Sequence, residues 1–357
     1  SALYDSLNNP SHILVNEQIA EECGTLLGKS KLERFKNLHD TLLLISFGKK
    51  KETVFAETLK KYSPVKTLFV EDIDAAFTEE RFLQTISQFE KVIVSLHNVN
   101  PYKVSSNFGY EENSLSLLNN LCKLYPDVLL VNFGTPYMLN KFEFKNPVLQ
   151  YYEEYIPAIQ EAAAEAIYGA NDLKGIMPVS ASRFDFGEGE KTQSKNLLKY
   201  GIPEQEGLSS TNLSRIDLIA KNAIKEGATP GCQILVAKNG RVVYQKAFGH
   251  FDYDSTVSIS NDKIYDVASI TKVMASTLLL MRFYEMGEID LDKTLYDYLG
   301  GKVDSTKMDL TLREILAHQA GLSAWIPFYK YTLNEAGICD SNYCYSPNTF
   351  FNLRVAD

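Results

Sequence analysis

Ser269-Ile270-Thr271-Lys272 sets a hydroxyl and an amine three residues apart. At the start of a helix that spacing puts both side chains on one face. An amine there, once partly withdrawn from water, can take the serine's proton and make its oxygen a nucleophile. The same S-x-x-K spacing recurs at Ser46–Lys49, Ser63–Lys66 and Ser260–Lys263, so spacing alone does not single out Ser269. Context does. Pro64 follows Ser63, Ser46 leads into the charged run Gly48–Glu52, and Ser260 precedes the turn pair Asn261-Asp262. Ser269 alone opens a long helical pattern, Ser269–Met286, with Gly287 placed to end it. The competing reading is a helix N-cap with an incidental lysine.

Other residues carry weaker signals. His97 follows an apolar run in "SLHNVNPY", where a hydrogen-bonded turn histidine is the commoner outcome. Gly48 and Gly134 sit where strands should end. In open α/β sheets that edge receives ligands, though on sequence spacing alone a tight turn is the favoured reading of both glycines. There is no G-x-G-x-x-G and no G-x-x-x-x-G-K-[ST], so nucleotide binding has no support. The five cysteines, Cys23, Cys122, Cys232, Cys339 and Cys344, are scattered and lack zinc-site spacing. Cys339 and Cys344 could form a local disulfide or stay as free thiols. No metal and no cofactor is expected.

With 36 basic and 45 acidic side chains the formal net charge is −9, which argues against nucleic-acid and anionic-membrane partners. No apolar run approaches the ~20 residues of a membrane span, and Ser1-Ala2-Leu3-Tyr4 lacks the basic start and apolar stretch of a signal peptide.

The elements that must position these residues follow two patterns. Leu42–Phe47, Thr67–Val70, Val92–Leu96 and Val128–Phe133 are continuous apolar runs, as in strands buried on both faces. Helical stretches alternate with them at Glu52–Tyr62, Glu79–Phe89, Glu112–Leu124 and Ile156–Tyr168, the last ended by Gly169. This alternation predicts a doubly wound, mostly parallel α/β sandwich. The charged run Gly187–Asn196 reads as linker. Then come a helix, Asn212–Glu226, and two strands, Gln233–Ala237 and Val242–Phe248, joined through Asn239-Gly240, a tight-hairpin signal. A last helix covers Leu312–His318.

"VNFGTPYML" (Val131–Leu139), "IQEAAAEAIYG" (Ile159–Gly169) and "GIMPVS" (Gly175–Ser180), in that order, resemble the C-terminal sandwich domain of family 3 glycoside hydrolases of the N-acetylglucosaminidase type, and "EECGTLLGKS" (Glu21–Ser30) resembles its opening. The resemblance covers residues 1–185. It implies that the nucleophilic aspartate lies in a preceding barrel of the parent protein, outside these residues. No acidic residue here, Glu111 and Glu112 included, can be matched to the acid/base of the β-glucosidase members.

"GCQILVAKNGRVVYQKAFG", "YDVASITKVMASTLLLMRFYEMGEIDLDKTLYDYL" and "LTLREILAHQAGL" resemble class C β-lactamases, related esterases and DD-peptidases. This resemblance implies that Ser269 is the acylated nucleophile, Lys272 its proton partner and the Ser269 amide half of an oxyanion hole. His318 and Gly321 match a structural turn, with Gln319-Ala320 in place of the usual Thr-Ser. The family's Y-x-N and K-T-G or H-x-G segments find no match through Asp357, so an incomplete α+β domain is expected. The expected organisation is a sandwich at 1–185, a linker at 186–210 and the front of a β-lactamase-like domain at 211–357. The function implied is that of a hydrolase fragment. Its parent would pair a glycosidase with an acyl-serine module outside the cytoplasm, acting on glycan or acyl-ester and amide substrates. The rival is an ancillary, non-catalytic binding module.

Overall fold

The computed structural model describes residues 9–28, 32–70, 79–195, 197–323 and 325. The chain divides into two compact units, Ser1–Lys263 and Ile264–Asp357.

The first unit opens with helix α1 (Pro10–Cys23). Its free amides are satisfied by the Asn9 side chain, which accepts from Ser11 N and His12 N at 3.0 and 3.1 Å. The sheet comes next: β1 (Thr25–Leu27), β2 (Leu42–Phe47), α2 (Val54–Lys60), β3 (Val65–Phe69), α3 (Glu79–Ile86), β4 (Lys91–Leu96), α4 (Glu112–Leu124), β5 (Leu129–Asn132), β6 (Val148–Gln150) and α5 (Pro157–Tyr168). Spatial order is β1-β6-β5-β4-β2-β3. All neighbours run parallel except the β1–β6 pair.

The six residues of β2 and of β4 are all buried, which is why their sequences are mostly apolar rather than alternating, with Ser46, Lys91 and Ser95 the buried polar exceptions. One face packs against α3 and α4 through Phe82, Ile86, Leu118 and Leu121. The other packs against α2 and α5 through Phe55, Leu59, Ala163 and Ile167. The alanines of α5 let that helix lie close to the sheet. Gly169, at φ 84°, closes it, and the Ala170 amide reaches back to Glu165 O at 2.9 Å.

The run read as linker leads into a strand. β7 (Lys199–Tyr200) is followed by helices α6 (Ser210–Leu213) and α7 (Arg215–Lys225) and the hairpin β8 (Gly231–Lys238) and β9 (Arg241–Gly249). Asn239 at φ 50° and Gly240 at φ 80° make the tight turn expected of Asn-Gly. β7 pairs in parallel with β9, and β9 antiparallel with β8.

A charged hub fastens these strands to α1. Arg241, with 6% of its side chain exposed, lies 2.8 Å from Glu21 and 3.0 Å from Glu206, and its Nη1 donates to Tyr200 O at 3.1 Å. Lys199 pairs with Glu21 at 2.9 Å, and the Tyr200 amide donates to Glu165 at 2.6 Å. A Cβ at Gly201 would stand 2.8 Å from Arg241 Nη1, so only glycine leaves room for that guanidinium. Burial raises the carboxyls of Glu17 and Glu165 beside the hub to about 7; the Arg241 charge works against the rise at both.

The second unit contains a π-helical turn, Lys272–Thr277, then α8 (Leu278–Glu285), α9 (Leu295–Leu299) and α10 (Leu312–Leu316). Thr294 and Thr311 cap α9 and α10 through reciprocal boxes with Asp297 and Glu314. The segments before these helices are joined by a Thr294–Thr311 bridge and by Arg313, whose guanidinium grips Asp292 at 2.6 and 2.9 Å. None of the described residues from 264 onward is buried, and Val273, Met274, Leu278, Leu279 and Met281 are each more than half exposed. Among the described residues no helix is long and apolar enough to cross a membrane.

Candidate active site

Ser269 and Lys272 meet in the structure. Lys272 Nζ donates to Ser269 Oγ at 2.8 Å. The tight turn that presents the serine is built locally. The Asp266 side chain accepts from the Ala268 amide at 2.7 Å, Ile270 N donates to Val267 O at 2.9 Å, and Lys272 N donates to Ser269 O at 3.0 Å. Ala268, directly before the serine, holds φ 42°, a left-handed value costly for a residue with a Cβ. The Asp266 bond to its amide holds that conformation directly before the serine, at the head of the helix.

The following turn is π rather than α, with Thr277 Oγ1 donating to Lys272 O at 2.9 Å. Widened turns of this kind recur at functional sites. The sequence pattern indicated a helix from Ser269 but carried no sign of either the strained alanine or the wide turn.

Chemically, the pair has contact but not seclusion. Both side chains are exposed. An amine becomes a base for a serine when it is withdrawn from water; the described residues supply the hydrogen bond but not that desolvation. His318, at φ 56°, and Gly321, at φ 64°, form the turn after α10, where Gln319 N donates to Glu314 O at 2.8 Å. That is a backbone role. Cys339 and Cys344 lie outside the described residues.

The first unit brings together residues that the sequence left apart. His97 is fully buried beyond β4. Its Nδ1 lies 3.0 Å from Glu154 Oε2, and its ring stacks on Phe133 at 4.9 Å between centroids. Glu154 also accepts from Asn98 N at 3.0 Å and pairs with Lys49 at 3.2 Å. Burial pushes the His97 imidazole down, and the Glu154 bond only partly offsets it. Burial also works to raise the Glu154 carboxyl, but the bonds from His97 and Asn98 and the Lys49 charge outweigh it and hold the group below its ordinary range. The result is a structural clamp on the turn after β4, as the turn-histidine reading expected. The partner Glu154 was not legible, being far along the chain.

Residues 216–338 match the Beta-lactamase family model. The chain is 32% identical over 141 residues to a putative D-alanyl-D-alanine carboxypeptidase of Salmonella heidelberg, with 36% of this chain and 32% of the relative covered. A protein of the same description from Salmonella gallinarum is 31% identical over the same length. The chain thus spans about a third of the length of these curated relatives.

Among solved structures, a family 3 β-N-acetylglucosaminidase from Paenibacillus is similar at TM-score 0.37 and 17% identity, with 47% of this chain and 32% of that one covered. A fungal multi-domain family 3 β-N-acetylglucosaminidase is similar at TM-score 0.39 and 13% identity, covering 80% and 34%. Ser269 and Lys272 both fall within residues 216–338, the segment that matches the Beta-lactamase family model.

Proposed function

We propose that the chain carries the nucleophile-bearing part of an acyl-serine hydrolase, with Ser269 as nucleophile and Lys272 as its proton partner. The observation that supports this reading is the 2.8 Å contact between the two side chains at the head of a helix, behind a strained alanine. In the reaction, Ser269 Oγ bonds to the acyl carbon while its proton passes to the Lys272 amine. The proton then goes to the departing amine or alcohol as the acyl bond breaks, and water later releases the acyl group. The Ser269 amide, at the head of the helix, would donate to the developing oxyanion.

The carboxypeptidase relatives suggest the substrate class: an acyl ester or amide, with a peptide ending in D-alanine as the first candidate. The family 3 likeness of residues 1–185 adds a glycan-directed parent protein with a barrel partner, working outside the cytoplasm. The division into a sandwich, a linker at 186–210 and a β-lactamase-like part at 211–357 belongs to the same proposal.

The test is covalent labelling of the natural protein that contains these residues, using fluorescent penicillin and a fluorophosphonate. Label should map to the peptide bearing Ser269. It should be lost in Ser269→Ala and fall at least about 100-fold in Lys272→Met. Label that persists in Ser269→Ala would leave Ser269 as an ordinary helix start. It would also favour the non-catalytic alternative for this segment.

A further inference from the structure

Strand order reverses once in the sheet. From β2 the chain crosses through α2 to β3 on one side, then through α3 to β4 on the other side of β2. The connections leaving β2 and β4 therefore part to opposite faces: α2 packs in one core layer and α4 in the other. Such a parting opens a crevice beyond the carboxyl ends of the two strands, the place where open α/β sheets bind ligands.

Here the crevice is a cavity of about 1080 Å³, lined by the loop after β2 (Gly48 to Val54) and the segment after β4 (Asn98, Gly109 to Leu117). Its volume suits a small ligand. Gly48, at φ 80°, brings the two loops together, because a Cβ there would fall 2.3 Å from His97 O. The loop that runs from β4 to the lining residue Gly109 is strained: Asn98, which lines the cavity, and Asn107 and Phe108, which lie behind it, hold φ of 54°, 52° and 58°. Left-handed non-glycine residues concentrated in one loop mark binding loops more often than plain connections. Tyr110 holds that loop in place by donating from its hydroxyl to His97 O at 2.7 Å.

The charges of the lining are unevenly committed. Lys49 is held by Glu154 at 3.2 Å and Asn98 at 3.0 Å, and Glu52 pairs with Lys60 at 2.9 Å. Lys50 and Lys51 are exposed and have no partner among the described residues, against the single uncommitted carboxylate of Glu111. We infer that this cavity binds a small anionic ligand through a phosphate or carboxylate group, with Lys50 and Lys51 supplying the charge and Asn113 and Ser114 the hydrogen bonds. The inference does not depend on the role of Ser269.

Isothermal titration of the 357-residue chain at matched ionic strength tests it, with inorganic phosphate, succinate, glucose 6-phosphate and glucose as probes. At least one of the anions should bind while glucose does not, and the tighter of phosphate and succinate identifies the recognised group. Lys50→Gln/Lys51→Gln should weaken binding at least about tenfold, since hydrogen bonds to charged groups are the stronger kind. Lys302→Gln/Lys307→Gln and Ser269→Ala should leave it unchanged. Circular dichroism confirms folding of each variant. The inference fails if no anion binds, if glucose binds as well as glucose 6-phosphate, or if the Lys302/Lys307 variant loses as much as the Lys50/Lys51 variant.

Discussion

Arg241→Met should be among the costliest single changes in the first unit. The substitution keeps much of the aliphatic stem and removes the charge. Three acceptors lose their donor: Glu21 at 2.8 Å, Glu206 at 3.0 Å and Tyr200 O at 3.1 Å. Breaking a buried ion pair by deleting one member costs about 3–5 kcal/mol, because the remaining charge is left without compensation. Glu21 is 24% exposed and keeps Lys199 at 2.9 Å, and Glu206 keeps Asn239 at 2.9 Å. The lower end, about 3 kcal/mol, is therefore expected.

The loss also depends on pH. Glu17 and Glu165, raised to about 7 in the fold from an ordinary 4.5, bind more protons folded than unfolded between those values. Their contribution to stability accordingly declines as pH climbs through that window. The Arg241 charge opposes the rise at both groups, so removing it widens the window, and the variant should lose more at about pH 7.5 than at about pH 5. Urea unfolding followed by circular dichroism measures the total, and hydrogen exchange in α1 and β9 locates it. A loss under about 1 kcal/mol, or one equal at both pH values, would show that the hub contributes no more than a surface pair does.

Gly48→Ala should cost about 2–3 kcal/mol, since it combines a positive φ with a clash against the His97 carbonyl; thermal melting checks it. His97 has a lowered folded pKa, so it binds fewer protons folded than unfolded and its stabilising effect should fade as pH drops below its unfolded value near 6.5. His97→Gln should flatten the melting-temperature profile between about pH 5 and pH 7. Residues 1–357 by themselves should turn over no chromogenic cephalosporin above background, because Ser269 and Lys272 both stand in water. Brief trypsin treatment should cut first beyond Lys263, where no described residue is buried, and equal resistance of both units would contradict that.

The features legible in the sequence are the local and periodic ones. β2, read as Leu42–Phe47, and α4, read as Glu112–Leu124, have those bounds in the structure, because burial on both faces and a 3.6-residue stripe leave direct marks. The Asn239-Gly240 turn and the Gly169 cap are legible because few residues accept a positive φ. The Ser269–Lys272 contact is legible from the spacing together with its context, because only this copy of S-x-x-K opens a long helical pattern.

The features that were not legible depend on pairing across the chain. β1 and β6 are three-residue strands whose pairing joins Thr25 to Gln150. Gln150 looks like a surface residue, yet it is buried and donates to Gly134 O and Tyr151 O at 2.7 and 2.6 Å. β7 fell within the stretch read as linker because two half-buried residues leave no periodicity. The switch-point cavity needed the strand order, which no spacing discloses.

The hub around Arg241 also bears on how such proteins can be recombined. The family match begins at residue 216, but the groups that neutralise Arg241 lie upstream of it, at Glu21 and Glu206. A gene fusion that carried residues 216 onward to a new neighbour would leave Arg241 a solitary, nearly enclosed cation. A fusion that kept residues 1–215 and replaced the rest of the chain would take the arginine from both Glu21 and Glu206 and leave Lys199 as the cation beside Glu21. A boundary cut at residue 216 therefore severs the ion pairs that make the burial of that side chain tolerable, and the two sides of the cut are exchangeable only if the incoming piece restores them.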